Sequence, residues 1–287
     1  LTTVDSMGLF ASVANRGVFR ITADGPAPFL TDGALGRQKI KSLHHDASGR
    51  WWMGTPGEGI KVFADSIWLT VRECGAYIID MLPAGDNQWW VATAYEGLSK
   101  LEVQEDSTGL QFRCVTYGQE HQLPIGRIEQ LFHDRQGRLL IAYRDLGLAC
   151  WEPGQLHWRV SVADGLPSGT VRSGRQDSIG HYWLAGPRGL VRVGQQSDQL
   201  RVKVFRNTDG LRSNNLYCLA FDSLGHLWVG SEKGVDQVAL DAAGNLKQVT
   251  FYGREEGFSG IETCTDAALV DDEGNLWVGT MNGLMLK

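Results

Sequence analysis

One residue pattern recurs along the whole chain, and it restricts the possible folds more than any other feature. The C-terminus reads "GNLWVGTMNGLMLK", and an earlier stretch reads "GHLWVGSEKGVDQV". The large apolar position of this motif falls at Phe10, Trp52, Trp90, Leu140, Trp183, Trp228 and Trp277. The spacing clusters around roughly 45 residues, the period of a repeat built from one supersecondary unit. A second signal precedes the motif. Asp-x-x-Gly occurs at Asp46–Gly49, Asp134–Gly137, Asp177–Gly180, Asp222–Gly225 and Asp271–Gly274. An Asp that accepts backbone N–H bonds and a Gly in the left-handed region close a tight turn. Apolar runs such as "NLYCLAF" and "RIEQLFH" stand before the turn, and the Trp strand follows it, which is a hairpin signature.

Further short runs after the Trp strand, such as "GLVRV" and "VKVFRNTDG", complete four strands per unit, here called a to d. A four-stranded antiparallel unit repeated seven times predicts an all-β, seven-bladed β-propeller. Each blade presses both faces on its neighbours, so the Trp of strand b is expected as a buried wedge between blades. A parallel β-solenoid has shorter repeats and lacks hairpin turns at every strand end. The first unit opens on a strand at "LTTV" and has its d strand near "APFL". The last unit stops at strand c, "GLMLK", so its blade is expected to be incomplete. Residues 1–287 are expected to form one propeller, read as cut from a larger protein, with a natural seven-bladed ring holding one three-stranded blade as the alternative.

Composition agrees with that architecture. The chain has 287 residues, 43% hydrophobic and 21% charged, with 36 Gly and 10 Trp, which suits many short strands, tight turns and large buried rings. The net charge of −6 argues against a general nucleic-acid surface, which needs a dense basic face. No apolar run is long enough to span a membrane, so direct membrane insertion of this segment is not expected. The five cysteines, Cys74, Cys114, Cys150, Cys218 and Cys264, show no CxxC or Cys/His spacing and are expected as buried small apolar residues.

No metal or cofactor is expected. His45 and His133 share one repeat position and His181 and His226 another, and repeat-equivalent residues of different blades do not converge as ligands. The Asp-x-x-Gly turns lack the alternating acids and closing Glu of a calcium loop. Nucleophile-elbow, HExxH, P-loop and dinucleotide fingerprints are missing from the sequence; acid–base pairs of carboxylates from different blades stay open, and a non-catalytic protein is the expectation. In a propeller the d–a connectors and b–c loops gather on one face, which is the default binding site. The connectors and strand-a starts bring Arg37, Arg72, Tyr77, Arg127, Arg172, Arg212, Asn215 and Glu262 to that face. The b–c loops bring Tyr95, Arg144, Arg188 and Lys233. Arg forks suit carboxylate or sulfate groups, and Tyr suits stacking on a sugar ring.

"DEGNLWVGTMNGLMLK" and "DSLGHLWVGSEKGVDQV" resemble the two-component regulator propeller repeat, as do the connectors "DGLRSNNLYCLAFD" and "DGLPSGTVRSGRQD". The resemblance runs over essentially the whole chain and is weakest where Phe10 and Leu140 replace Trp. It implies a sensor propeller on the periplasmic or extracellular face of a membrane-bound hybrid histidine kinase or diguanylate cyclase. Its implied partners are an oligosaccharide or other small ligand, neighbouring propeller or sandwich domains of the same receptor, and a second copy in a homodimer. The alternatives are a structural or protein-binding propeller with no small ligand, and a propeller lyase similar to the virginiamycin-inactivating lyases. The lyase needs a metal-linked acid–base pair for which this sequence has no matching His/Glu motif.

Overall fold

The computed structural model describes residues 1–4, 7–31, 35, 38–196, 199–258, 260 and 262–287. The chain forms seven antiparallel sheets, and the fold is an all-β, seven-bladed propeller. Six sheets hold four strands in chain order. The seventh holds three: Thr263–Val270, Leu276–Thr280 and Gly283–Leu286. The short last blade is as expected from the sequence. Internal contacts divide the chain into two compact units, 1–131 and 132–287. The boundary falls inside Ile128–His133, strand a of blade 4.

Strand position dictates burial. Each residue of Trp51–Thr55, Leu139–Tyr143, Tyr182–Gly186 and Leu227–Ser231, the b strands of blades 2, 4, 5 and 6, is buried. These strands are covered on both faces, so they read as continuous apolar runs rather than alternating ones. Strand d of blade 5, Gln199–Phe205, alternates between exposed and covered residues along most of its length, the period-two pattern of a half-solvated strand.

The Asp-x-x-Gly turns show why Asp and Trp travel together. Asp177 Oδ1 accepts the N–H groups of Ile179 (3.1 Å) and His181 (2.8 Å), and Oδ2 accepts the Trp183 indole N–H at 2.9 Å. The same three bonds recur at Asp46 with Ser48, Arg50 and Trp52, at Asp222 with Leu224, His226 and Trp228, and at Asp271 with Glu273, Asn275 and Trp277. Burial pushes the Asp222 carboxyl up, but the bonds from His226 and Trp228 outweigh it and hold the pKa below the ordinary value. In blade 4, where Leu140 replaces Trp, the Tyr182 hydroxyl of blade 5 donates to Asp134 Oδ2 instead, at 3.1 Å.

The rings also wedge between blades. In unit 1, Trp52 packs with Met81, Trp89 and Val91 of blade 3. In unit 2, Trp183 packs with Leu216, Leu219 and Val229 of blade 6, and Trp228 packs with Leu276 and Val278 of blade 7. Trp52, Trp90, Trp183 and Trp228 are buried, whereas Trp277 is half-buried. The difference has a local cause. A strand-d ring of the same blade lies against Trp90 (Tyr117), Trp183 (Phe205) and Trp228 (Tyr252), and among the described residues the three-stranded sheet has no strand d to supply one.

The cysteines depart in part from the expectation. Cys150 and Cys218 are buried thiols, but Cys74 and Cys114 form a disulfide with Cα atoms 5.4 Å apart. Cys74 follows strand d of blade 2, and Cys114 lies in Gly109–Tyr117, strand d of blade 3. The pairing is a product of blade stacking across 40 residues, which no local cysteine spacing announces.

Candidate functional site

Backbone bonds place the b–c loops and d–a connectors together. Gly59 N–H donates to Ala76 O (2.8 Å), Gly147 N–H to Gly169 O (2.8 Å), Gly189 N–H to Asn214 O (2.7 Å) and Met281 N–H to Glu262 O (2.9 Å). The connectors themselves are built alike. Asp164, Asp209 and Glu256 each accept the backbone N–H of the residue three positions earlier, at 2.8–2.9 Å. Gly165 and Gly210 follow at φ 105° and 107°, a region that glycine enters without steric cost. Leu166, Leu211 and Phe258 are then buried as anchors. Each connector therefore delivers the start of the next strand a at a defined place.

The expected site residues fall into two local groups, and Arg37 lies outside the described residues. In unit 1, Tyr77 (43% exposed) and Tyr95 (67% exposed) meet edge to face, with centroids 5.3 Å apart. Arg72 is exposed beside Gly59. The Arg127 guanidinium is held by Glu129 at 2.8 Å. In unit 2, Arg144, Arg188, Lys233 and Glu262 are exposed. Arg188 Nη1 reaches Pro167 O at 3.4 Å, and Lys233 Nζ reaches Arg212 O at 3.4 Å. The Arg212 guanidinium lies over the Phe251 ring at 4.5 Å.

Arg172 organises a row over three blades. Its Nη1 donates to Asn215 Oδ1 (2.7 Å) and Leu216 O (3.1 Å), and the guanidinium covers the Tyr217 ring at 4.6 Å. Asn215 Nδ2 donates to the Tyr217 hydroxyl at 2.9 Å. Burial, and then the hydrogen bond to Glu262, push the Tyr217 phenol up, so it keeps its proton and donates it to that carboxylate. Arg172, Asn215 and Glu262 were expected on this face from their place in the repeat. Tyr217 was not, because it sits inside an apolar run that reads as core.

A buried acid lies beneath the same loops. Asp236 is 1% exposed; Oδ2 accepts the Arg212 N–H at 2.9 Å, and Oδ1 has no hydrogen-bond partner among the described residues. Burial raises its pKa to about 6, against the lowering effect of the Arg212 N–H and charge. The unfolded value is near 3.9, so the ionised form penalises folding by about 3 kcal/mol above pH 6. That penalty disappears as the pH falls from about 6 to 4. Asp236→Asn keeps the acceptor and removes the charge. The stability difference between variant and parent, from urea unfolding at pH 4 to 8, is expected to favour the variant only above pH 5. A difference constant with pH would show that Asp236 does not titrate.

Among the described residues, no three His, Cys, Asp or Glu side chains converge as a metal-ligand group, and no helix is long and apolar enough to cross a membrane. Residues 210–233, from the blade 5–6 connector through the b–c loop of blade 6, match the two component regulator propeller family. No curated protein matches the chain at a significant level. Among solved structures, the chain is similar to the extracellular domain assigned to a one-component system of B. thetaiotaomicron (TM-score 0.76, 18% identity, 99% of this chain and 37% of that one). It is also similar to the extracellular domain assigned to a hybrid two-component system of the same organism (TM-score 0.58, 20% identity, 88% and 39%). The virginiamycin B lyase of Staphylococcus aureus shares the fold at 10% identity (TM-score 0.60, 87% and 84%). The chain thus spans less than two fifths of the two extracellular domains it matches, and likeness at these identities establishes a common propeller fold.

Proposed function

We propose that this chain is a non-catalytic sensor propeller in the extracytoplasmic part of a membrane-bound signalling receptor, where it binds an oligosaccharide on the face built by connectors and b–c loops. The row Arg172–Asn215–Tyr217–Glu262 carries the reading. It aligns planar donors, an aromatic ring and an acceptor over three consecutive blades, the set that orients a polar ring-shaped ligand. The family match at residues 210–233 includes Arg212, Asn215 and Lys233 of this face. The extracellular domains of similar fold support the receptor setting, and a disulfide between Cys74 and Cys114 fits an oxidising compartment. Neighbouring receptor domains and a second copy of the chain are the partners this reading implies.

Calorimetric titration with acidic and neutral oligosaccharides tests it. Arg188 and Lys233 are exposed, so replacing both by alanine is expected to leave the melting temperature nearly unchanged. Affinity for an acidic oligosaccharide is expected to drop about tenfold at low salt, equivalent to about 1.4 kcal/mol. Unaltered affinity would exclude the anionic ligand, and silence across the panel would exclude the sugar.

A further inference from the structure

We propose that Ser173 and Arg175 form an oxyanion subsite that the protein's own Asp266 carboxylate fills, so that a carboxylate-bearing ligand binds there by displacing Asp266. The inference rests on the first strands of blades 5 to 7 and not on the ligand class proposed above. Ser173 and Arg175 stand two residues apart in Ser173–Gln176, so their side chains share one face of the strand. Ser173 Oγ donates to Asp266 Oδ1 at 2.8 Å, and Arg175 Nη2 donates to the same oxygen at 3.0 Å. Both donors are fixed from behind. The Leu219 N–H donates to Ser173 Oγ at 3.2 Å, which turns the hydroxyl proton toward the carboxylate. Arg175 Nη1 is anchored on Gly174 O at 2.7 Å. This is a charge-assisted anion cradle, and each donor has an anchor other than Asp266.

Asp266 reaches the cradle by distorting its own strand. In Thr263–Val270, Thr263 pairs with Thr280 and the next registered pair is Ala268 with Val278. The intervening residues form a bulge, and Asp266 stands at φ 49° within it. Non-glycine residues rarely adopt that region, although Asp tolerates it better than most. Bulges and backbone outliers of this kind gather where a side chain is re-aimed for function. Here the bulge carries an acid from blade 7 past blade 6 onto two donors of blade 5. The Arg175 and Asp266 side chains remain 28% and 27% exposed while Ser173 is buried, so a small solute meets Arg175 first and gains Ser173 as Asp266 withdraws. A competing carboxylate would replace Asp266 on both donors and release the bulge, which couples occupancy to the shape of blade 7.

Acetate is the smallest probe of the subsite. Asp266→Gly removes the internal anion and suits the positive φ. Its affinity for acetate, by calorimetry at fixed ionic strength in chloride, is expected to exceed that of the parent at least tenfold. Asp266→Asn, which keeps the side-chain shape, is expected to fall between the two. Arg175→Met in the Asp266→Gly background is expected to abolish the gain. Equal acetate affinity in the parent and both Asp266 variants would overturn the proposal, as would a gain that survives the loss of Arg175. Neither result depends on oligosaccharide binding, so failure here is distinct from failure of the sensor reading.

Discussion

Trp183→Ala is expected to destabilise the protein by about 3–5 kcal/mol, the usual cost of emptying a large buried aromatic site. Trp277→Ala is expected to cost less than half as much. The two residues are equivalent in the repeat, and each indole N–H is held by its own turn Asp, Asp177 at 2.9 Å and Asp271 at 2.7 Å. They differ in packing. Trp183 is fully buried, stacked at 5.7 Å on Phe205 and wedged against blade 6, whereas Trp277 is half-buried. Urea unfolding of the two variants measures the difference. Trp183→Phe separates the components, since it keeps most of the ring volume and loses only the bond to Asp177, worth about 1.5–3 kcal/mol for a charged acceptor. Equal costs for the Trp183 and Trp277 alanine variants would show that the turn bond, and not the wedge, gives the Trp its place in the repeat.

The repeat made the blades legible because the same physical problem is solved in every copy. Strand b must be apolar on both faces, and one turn Asp serves both the backbone N–H groups of the entry turn and the indole N–H of the wedged Trp, so Trp and Asp reappear together. Asp241 shows where that reading was incomplete. "DAAGN" carries the same spacing, and Asp241 Oδ1 accepts the N–H groups of Ala243 (2.9 Å) and Asn245 (2.8 Å), yet this turn joins strands c and d of blade 6. The motif specifies a turn, and the large apolar residue six positions after the Asp (Trp, or Leu140 in blade 4, against Lys247 after Asp241) specifies which turn. Blade 3 marks the opposite case. It replaces Asp-x-x-Gly with a tight Asp86-Asn87 turn, Asn87 standing at φ 54°, and still pairs its strands in order.

The candidate site was legible in its location but not in its wiring. Topology alone places connector and b–c loop residues on one face, which is the ground for expecting Arg172, Arg188, Asn215 and Lys233 in a binding site there. Which of those side chains are committed to the protein's own groups depends on distances between blades. Arg172 is engaged by Asn215 and Tyr217 and Arg212 by Phe251, residues 39 to 45 positions apart that carry no mark of such contacts in a sequence, whereas Arg127 is held by Glu129 only two positions on. Asp266 left one trace, an acid within "TCTDAALV", a run otherwise suited to a strand. The bulge that gives it meaning follows from strand register, which composition does not encode.

Reduction of the Cys74–Cys114 bond is expected to lower stability by up to about 4 kcal/mol, the loop-closure value for the 40 residues it spans. The loop joins the end of blade 2 to strand d of blade 3, so the reduced unfolded chain regains freedom over nearly a whole repeat. The other buried cysteines should not compensate. Burial pushes the Cys150 and Cys218 thiols up to about 12, which leaves almost no thiolate for exchange at neutral pH. Urea unfolding of oxidised protein with and without a reductant measures the effect, with the bond verified by mass under non-reducing conditions. In the Cys74→Ser/Cys114→Ser variant the reductant is expected to change nothing, and the variant should match the reduced parent. A parent indifferent to reductant would mean that stacking of blades 2 and 3 alone holds the two strands together. Sensitivity confined to this pair would tie the stability of unit 1 to an oxidising compartment, the condition an extracytoplasmic sensor meets and a reducing cytosol does not.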